Sequence, residues 1–232
     1  DPVVVSGSDG TFWFMAIAGD TWDEDPTDGR IAKSVDHGET WEIVKTQLGS
    51  DTEWFAVSTD NSRLYAVSNY IDAWQPPIPA GFWELQADGS INRFFDTSGT
   101  GNLARGAFVD EDRGAYFLME TWVYYWSHHG DPIQVGPEVS RGVTYCGELS
   151  AGFGALPNGG LWIIQSECSP SSASVMLHLR LNPNEEGTRI PLSQPGEWAF
   201  MATGAVDAWG RLHATWYDST GSAGVLRYTH SL

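Results

Sequence analysis

The chain has few basic residues, few cysteines and no long apolar run. Only 12 Lys and Arg residues stand against 30 Asp and Glu residues among 232, which gives a formal net charge of −18. So acidic a surface repels phosphate backbones and anionic membranes, and we therefore expect no nucleic-acid partner. No apolar stretch reaches the roughly 18 residues that a membrane-spanning helix needs, so we also expect no membrane insertion.

The two cysteines, Cys146 and Cys168, flank a predicted hairpin whose turn lies at Asn158-Gly159. If one or two bulge residues are allowed, the register of this hairpin places the cysteines opposite each other at its open end. We therefore predict a disulfide, which implies an oxidising compartment. The expected location is extracellular, cell-surface or periplasmic. Two cysteines are too few for a Cys-rich zinc site.

Helical periodicity is scarce, because apolar residues alternate or run in groups of four to six between Gly and Pro residues. Five times an apolar run stops at a tight turn and resumes, and these turns are anchored on Gly10, Ser62, Arg113, Gly159 and Gly210. The steps between the anchors are 52, 51, 46 and 51 residues. A repeat of this length, built from short strands, is the signature of a β-propeller.

We predict a single all-β domain, a β-propeller of about five four-stranded blades. The predicted blades span residues 1–49, 50–98, 99–140, 141–194 and 195–232. The last blade is incomplete, because it has three predicted strands and lacks the outermost one. Either this blade is three-stranded or the sequence is a piece of a longer chain, in which the propeller contacts the rest of the chain or a larger assembly. An unpaired edge of this kind invites strand addition.

One loop carries a specific motif. Ser34-Val35-Asp36-His37-Gly38-Glu39-Thr40-Trp41 fits the pattern Ser-x-Asp-x-Gly-x-Thr-Trp and resembles the Asp-box of sialidase-like propellers, also called the BNR repeat. Such a turn needs a positive φ at Gly38, and the Asp36 carboxylate can accept backbone amides across it. Ser34 can add a hydrogen bond, and Trp41 packs beneath. The resemblance implies a structural role for these four residues, since the Asp-box of that family is not catalytic.

Other segments resemble this family more weakly. The final Arg227-Tyr228-Thr229-His230-Ser231 is similar to the approach to another Asp-box. Sialidases of the family use three arginines, a Tyr–Glu pair and an Asp acid/base, and a convincing arginine triad is missing here. Arg189-Ile190-Pro191 matches an arginine signature of these enzymes but is predicted on an outer strand, so we interpret it as coincidental. This departure argues against sialidase activity.

The predicted innermost strands begin with charged and aromatic residues that would surround one channel mouth. Five-bladed glycosidases place two carboxylates about 5–9 Å apart on such strands. Candidates for that pair are Asp1, Glu53, Glu148 and Glu197. Alternatively, these acids are solvated loop ends, and the mouth binds its ligand through side chains at Trp54, Trp74, Arg105 and Trp198.

We expect an extracellular recognition or scaffold propeller that binds a glycan or a protein at its channel mouth. The alternative is a glycoside hydrolase, sialidase-like or five-bladed, that uses two of the listed carboxylates. No cofactor is expected, and Ca²⁺ is the metal that so acidic a chain would attract. The weak candidate ligands for it lie in a segment that departs from the EF-hand pattern, at Asp23, Asp25 and Asp28.

Overall fold

The computed structural model describes residues 2–18, 28–48, 51–69, 81–97, 104–110, 114–119, 121–139, 144–145, 151–219 and 224–231. In these ranges the chain forms twenty β-strands, grouped in five antiparallel sheets that follow one another along the sequence. This confirms the predicted fold class, an all-β chain of the five-bladed β-propeller type. None of the described ranges contains a helix long and apolar enough to cross a membrane.

The first three sheets have four strands each. Sheet 1 consists, in spatial order, of β1 (Val3–Ser6), β2 (Phe12–Ala18), β3 (Asp28–Ser34) and β4 (Glu42–Lys45). Sheet 2 consists of β5 (Asp51–Val57), β6 (Arg63–Asn69), β7 (Gly81–Gln86) and β8 (Ile91–Asp96). Sheet 3 consists of β9 (Ala104–Asp110), β10 (Gly114–Met119), β11 (Trp122–Ser127) and β12 (Ile133–Gln134).

The last two sheets depart from four strands. In sheet 4 both β13 (Thr144–Tyr145) and β14 (Gly152–Ala155) pair with one edge of β15 (Leu161–Ser169), which is followed by β16 (Ser172–Arg180) and β17 (Thr188–Pro191). Sheet 5 consists of β18 (Ala199–Val206), β19 (Leu212–Asp218) and β20 (Val225–His230). Its three strands, within the described residues, agree with the predicted incomplete last blade.

The chain divides into two compact units, and each has its own core. The first unit comprises Asp1–Glu120 with Tyr124–Ile133, and the second comprises Thr121–Val123 with Gln134–Leu232. In the first unit, sheets 1 and 2 bury Trp13, Met15, Ile31, Leu48, Phe55, Leu64, Ala66, Trp83 and Leu85. Sheets 2 and 3 bury a second cluster, made of Tyr65, Val67, Phe82, Ala115, Phe117, Met119 and Trp126.

In the second unit, sheets 4 and 5 share one core, which is formed by Trp162, Ile164, Val175, Leu177, Ala199, Ala202, Leu212, Ala214 and Trp216. Alternate residues of a strand face the same side, so each strand places every second side chain in this core. Burying one such large apolar side chain contributes roughly 1.5–3 kcal/mol. A Cβ added at Gly152 would lie 2.6 Å from the amide nitrogen of Gly204, so these glycines permit the close approach of β14 and β18.

The loop between β3 and β4 has the geometry that the motif predicts. Gly38 has a φ of 92°, and Trp41 Nε1 donates to its carbonyl oxygen at 3.1 Å. Asp36 accepts hydrogen bonds from Thr40 and Ser34, at 2.9 Å from the Thr40 amide and 2.8 Å from the Ser34 hydroxyl. These hydrogen bonds lower the pKa of Asp36 to about 2. Trp41 packs edge-on against Phe14 and stays 45% exposed.

Candidate functional site: a carboxylate pair at one end of sheet 5

The residues predicted for the channel mouth fall partly outside the described ranges. Asp1, Trp74 and Glu148 lie outside them, and of Glu53 only the backbone, in β5, is described. The weak calcium candidates Asp23 and Asp25 also lie outside, and of Asp28 only the backbone is described. Among the side chains that the structure describes, no three His, Cys, Asp or Glu residues group as metal ligands.

The predicted disulfide is only half within the described ranges. Thr144 of β13 pairs with Cys168 of β15, so Cys168 lies beside the strand that leads to Cys146. Cys146 itself lies outside the described residues. The disulfide between them therefore stays a prediction.

Trp54 and Arg105 belong to the first unit and are packed into it. Trp54, in β5, packs partly buried against the aromatic cluster that contains Phe82 and Phe117. Arg105, in β9, is fully buried. Arg105 therefore lies in the interior of its unit and Trp54 at the edge of an aromatic cluster, and their role in ligand binding stays a prediction.

Buried charges form a first cluster in the same unit, around Glu84 of β7. This fully buried carboxylate accepts hydrogen bonds from Arg63 Nη1 at 2.8 Å, Arg93 Nε at 2.5 Å and Asn92 Nδ2 at 3.0 Å. Burial and the Glu84 charge raise the pKa of Tyr65 to about 12. One carboxylate between two guanidinium groups is fully occupied, so the cluster stabilises the fold rather than offering a free group.

A second cluster, around Glu167 of β15, belongs to the second unit. The buried Glu167 carboxylate contacts His178 Nε2 at 3.0 Å and accepts two N–H donors of Arg189. Burial and the charge of Arg180 lower the pKa of His178 to about 4, so its ring is neutral at pH 7 and donates to Glu167. Arg189 lies in β17, on the outer part of sheet 4, and is engaged with Glu167.

A third cluster lies at the turn between β18 and β19. Asp207 accepts hydrogen bonds from Arg211 Nε at 2.7 Å and from two backbone amides, and it contacts His213 Nε2 at 3.0 Å. Against the effect of burial, the hydrogen bonds from His213 and Arg211 lower the pKa of Asp207. The third cluster has a single carboxylate, and backbone amides of the turn between β18 and β19 donate hydrogen bonds to it.

The fourth cluster lies at the other end of sheet 5. Ala199 of β18 pairs with Asp218 of β19, and Asp218 pairs with Val225 of β20. The start of β18, the end of β19 and the start of β20 therefore meet at one end of the sheet. Glu197 and Trp198 directly precede β18, so they reach the same place.

Two carboxylates in this cluster share one guanidinium group. Arg227 Nη2 lies 2.7 Å from Asp218 Oδ2 and 3.5 Å from Glu197 Oε1, and Arg227 Nε also donates to Asp218 at 3.2 Å. The Asp218 and Glu197 side chains are nearly buried, whereas the Arg227 side chain is 44% exposed. The hydrogen bond with Asp218 and the charges of both acids raise the pKa of Arg227, which is therefore always cationic.

Trp198, the residue between Glu197 and β18, is exposed. Trp198 is 42% exposed, and its backbone pairs with Ala173 and accepts the Ser219 amide at 3.0 Å. Glu197 Oε2 accepts the Gln194 amide at 2.7 Å, which closes the turn before β18. The acid pair and the indole are therefore anchored on rigid strand ends, which is where precise positioning of functional groups is expected.

The geometry suits chemistry at a glycosidic bond. Glu197 and Asp218 oxygens that contact the same nitrogen cannot be farther apart than the two contact distances combined. That upper limit on the distance between these two oxygens lies below the separation of about 6.5–9.5 Å in inverting glycosidases and permits the separation of about 5–5.5 Å in retaining ones. An exposed tryptophan at the same end of the sheet as two carboxylates also matches how proteins bind sugar rings, which present flat apolar faces between polar hydroxyl groups.

The fold and this site define a five-bladed β-propeller with an acid pair at a strand end. No family model matches the sequence, and no curated protein matches it either. Among solved structures, an endo-arabinase from Bacteroides thetaiotaomicron is similar at 14% identity and a TM-score of 0.52, over 100% of this chain and 93% of that one.

Two further solved structures are similar in fold. The periplasmic gluconolactonase of Pseudomonas aeruginosa has 12% identity and a TM-score of 0.57, over 95% of this chain and 69% of that one. An ulvan lyase bound to -[GlcA(1-4)Rha3S]- has 8% identity and a TM-score of 0.59, over 98% of this chain and 63% of that one. At these identities the likeness establishes the fold.

Sequence reasoning found half of this cluster. It selected Glu197 and Trp198 because they precede a predicted innermost strand, and it missed Asp218 and Arg227. Asp218 lies directly after a predicted strand, and Arg227 lies in the segment similar to the approach to an Asp-box. Neither position is a sequence signal for a functional residue. The signal that could have found them is an acid at the end of one strand and a base near the start of the next, since antiparallel pairing brings such positions together.

Proposed function

We propose that the protein is a carbohydrate-active β-propeller, a glycoside hydrolase that cleaves a polysaccharide at the cluster of Glu197, Trp198, Asp218 and Arg227. The observation that supports this most directly is the pair of carboxylates within 3.5 Å of one guanidinium nitrogen, at the strand end that also carries the exposed Trp198. The names of the similar propellers, an endo-arabinase, a gluconolactonase and an ulvan lyase, support a sugar substrate.

The two acids differ in their surroundings, and this difference suggests their roles. Asp218 accepts two charge-assisted hydrogen bonds from Arg227, which favour its carboxylate form and suit a nucleophile. Glu197 has a single, longer contact with Arg227 and is the proposed acid/base: it takes up a proton from solvent before the reaction and gives it to the leaving oxygen. Water that Glu197 then deprotonates hydrolyses the bond between the sugar and Asp218, which restores both acids. Trp198 would hold the sugar ring by stacking, so that the scissile bond lies between the acids.

The test compares isosteric amide variants with a matched control. D218N and E197Q should each lower turnover of the polysaccharide, measured as reducing ends released, by about 10²–10⁴-fold, since each removes one acid–base or nucleophilic step. E185Q is the control, because Glu185 is an exposed acid of the same unit whose carboxylate accepts a hydrogen bond from the amide group of Asn182. Unchanged turnover in D218N and E197Q would refute the assignment of these two acids.

A second candidate function is glycan recognition without cleavage. The ion pairs of Arg227 with both acids support it, because an acid held by a base is less available for proton transfer. In that case the wild-type protein binds oligosaccharides in calorimetry and releases no product, and W198A loses binding while D218N retains it. Product release by the wild-type protein decides in favour of the hydrolase.

Location, family and disulfide are proposals of the same kind. We infer an extracellular or periplasmic location and a sialidase-like, Asp-box repeat architecture, which the hydrogen bonds of Ser34, Asp36 and Gly38 support. A disulfide between Cys146 and Cys168 fits an oxidising compartment. Thiol alkylation followed by mass measurement tests it: no alkylation without reductant and two alkylated thiols with reductant are expected.

A further inference from the structure

We infer that the glycan taken by the Glu197–Asp218 site is neutral, a polysaccharide without uronic acid or sulfate groups. The inference rests on the proposed function and specifies the substrate class of the same site. It is carried by the charges around the site and by the occupancy of every described arginine in the second unit.

Those arginines already have acceptors. An anionic sugar needs a cation whose charge is not already matched, because burying a carboxylate or sulfate without a partner is costly. The four described arginines of this unit are each engaged with carboxylates or carbonyl oxygens: Arg180 with Val135 and Pro137, Arg189 with Glu167, Arg211 with Asp207, and Arg227 with Asp218 and Glu197.

Lysine does not supply a further cation in this unit, because no lysine follows Lys45 in the sequence. Arg141 lies outside the described residues. Within the part of the second unit that the structure describes, every arginine is therefore already engaged with an acceptor.

The site itself has an excess of negative charge. When both acids are ionised, Glu197 and Asp218 outnumber Arg227, and the chain as a whole carries a net charge of −18. A uronate or sulfate placed here would meet like charges at close range, and the long-range field of the protein would also slow its approach. A neutral sugar is not repelled by the acids of the site, and the field of the protein does not slow its approach.

The turn that lies beside Trp198 across the sheet carries uncharged polar residues. The backbone pairing of Trp198 with Ala173 places it next to the turn between β15 and β16. That turn presents the hydroxyl groups of Ser169 and Ser172, which lie 2.7 Å apart, with the exposed Ser171 between them. Hydroxyl groups donate and accept hydrogen bonds without charge, so together with a stacking indole they form a surface for neutral sugar rings.

The experiment measures binding of neutral and acidic oligosaccharides of equal length to the whole chain by calorimetry. The probes are arabino-, xylo- and cello-oligosaccharides on one side and oligogalacturonates on the other. We expect at least one neutral probe to bind at least about tenfold more tightly than oligogalacturonate at low salt. The gap should narrow as ionic strength rises, because salt screens the repulsion.

The possible outcomes separate this inference from the proposed function. Oligogalacturonate binding as tightly as the neutral probes, or more tightly, overturns the inference and leaves a carbohydrate-active protein. If no probe is bound or cleaved, the proposed function itself is overturned.

A pair of variants with the same net charge tests whether the local acids cause the discrimination. E197Q removes a negative charge at the site, and E185Q removes one elsewhere in the same unit. We expect E197Q, and not E185Q, to raise the affinity for oligogalacturonate several-fold. An equal gain in both variants would show that net charge alone discriminates, which overturns the assignment to this site.

Discussion

Two clusters, one in each unit, use the same carboxylate and guanidinium groups in opposite proportions. In the first unit, the single carboxylate of Glu84 is held by Arg63 and Arg93 and is fully buried. In the second unit, Glu197 and Asp218 share Arg227, and the exposed Trp198 follows Glu197 in the chain. The first cluster has two guanidinium groups for one carboxylate, whereas the second has two carboxylates for one guanidinium group.

The difference shows what separates a structural ion pair from a candidate site. Both clusters depend on antiparallel register, which brings side chains from neighbouring strands together. Glu84 lies within β7 and bonds sideways to the strands on either side of it, so its contacts hold sheet 2 together. Asp218 lies at the end of β19, where a sheet gives way to loops and functional groups are most often found.

The largest expected effect on stability is that of removing Glu84. E84A leaves Arg63 and Arg93 without their carboxylate. It should lower the free energy of unfolding by about 3 kcal/mol, because removing one member of a buried ion pair leaves the opposite charge without a partner. Denaturant unfolding measures the change. E42A, which removes an exposed acid of β4, is the control. If E84A does not fold, the isosteric E84Q should show a smaller loss of the same sign; wild-type stability in E84Q would contradict the structural role.

The corresponding change in the second cluster should cost less. D218N removes one of the two acids around Arg227, whose side chain is 44% exposed. Glu197 and water can therefore compensate for the lost interaction with the guanidinium group. We expect D218N to lose less than half the stability that E84A loses, in the same denaturant assay, while its turnover falls as proposed above. Equal losses in both variants would erase the distinction between the two clusters.

The indole provides a sharper comparison within sheet 5. W198A should weaken oligosaccharide binding about tenfold, because stacking on an aromatic face contributes about 0.5–1.5 kcal/mol beyond area burial. W209A is the matched control, since Trp209 is 80% exposed at the opposite end of the sheet and lies against Arg211. Calorimetry with the same oligosaccharide measures both variants. An equal loss in W209A would place sugar binding elsewhere.

The sequence predicts the fold better than the site, for physical reasons. Repeated apolar runs around tight turns are local signals, so the five sheets and the three-stranded last sheet could be predicted. The extra strand β13 has two residues and depends on the nine-residue length of β15, which no local pattern reveals. Arg105 carries a charge that suggests exposure, yet packing in its unit buries it fully.

The site was only half predictable because its members meet through register. Glu197 and Trp198 could be selected from one local cue, their position before a strand. Asp218 and Arg227 become neighbours only when β19 and β20 pair so that Asp218 faces Val225. A shift of one residue would turn either side chain to the other face of the sheet.

The smallest expected effect concerns a carboxylate that no arginine holds. Asp36 accepts hydrogen bonds from Thr40 and Ser34 alone, which lower its pKa from the ordinary 3.8 to about 2. Because the folded-state pKa is the lower one, its charge stabilises the fold fully above about pH 4, and this contribution disappears as the pH falls through 2. D36N should therefore lower the Tm by a few degrees at pH 7.

The pH dependence and a loop control make this last prediction specific. The Tm difference between the wild-type protein and D36N should shrink between pH 4 and pH 2, in scanning calorimetry at both ends of that range. E39Q, in the same loop, should leave the Tm at pH 7 unchanged, since the exposed Glu39 side chain has no part in the Asp36 hydrogen bonds. Oligosaccharide binding should be unaffected in D36N, because the hydrogen bonds of Asp36 are made to residues of its own loop. If D36N instead lost oligosaccharide binding at an unchanged Tm, Asp36 would be a functional acid. A carboxylate without an arginine partner would then have a role in binding, which contradicts the structural role assigned to it.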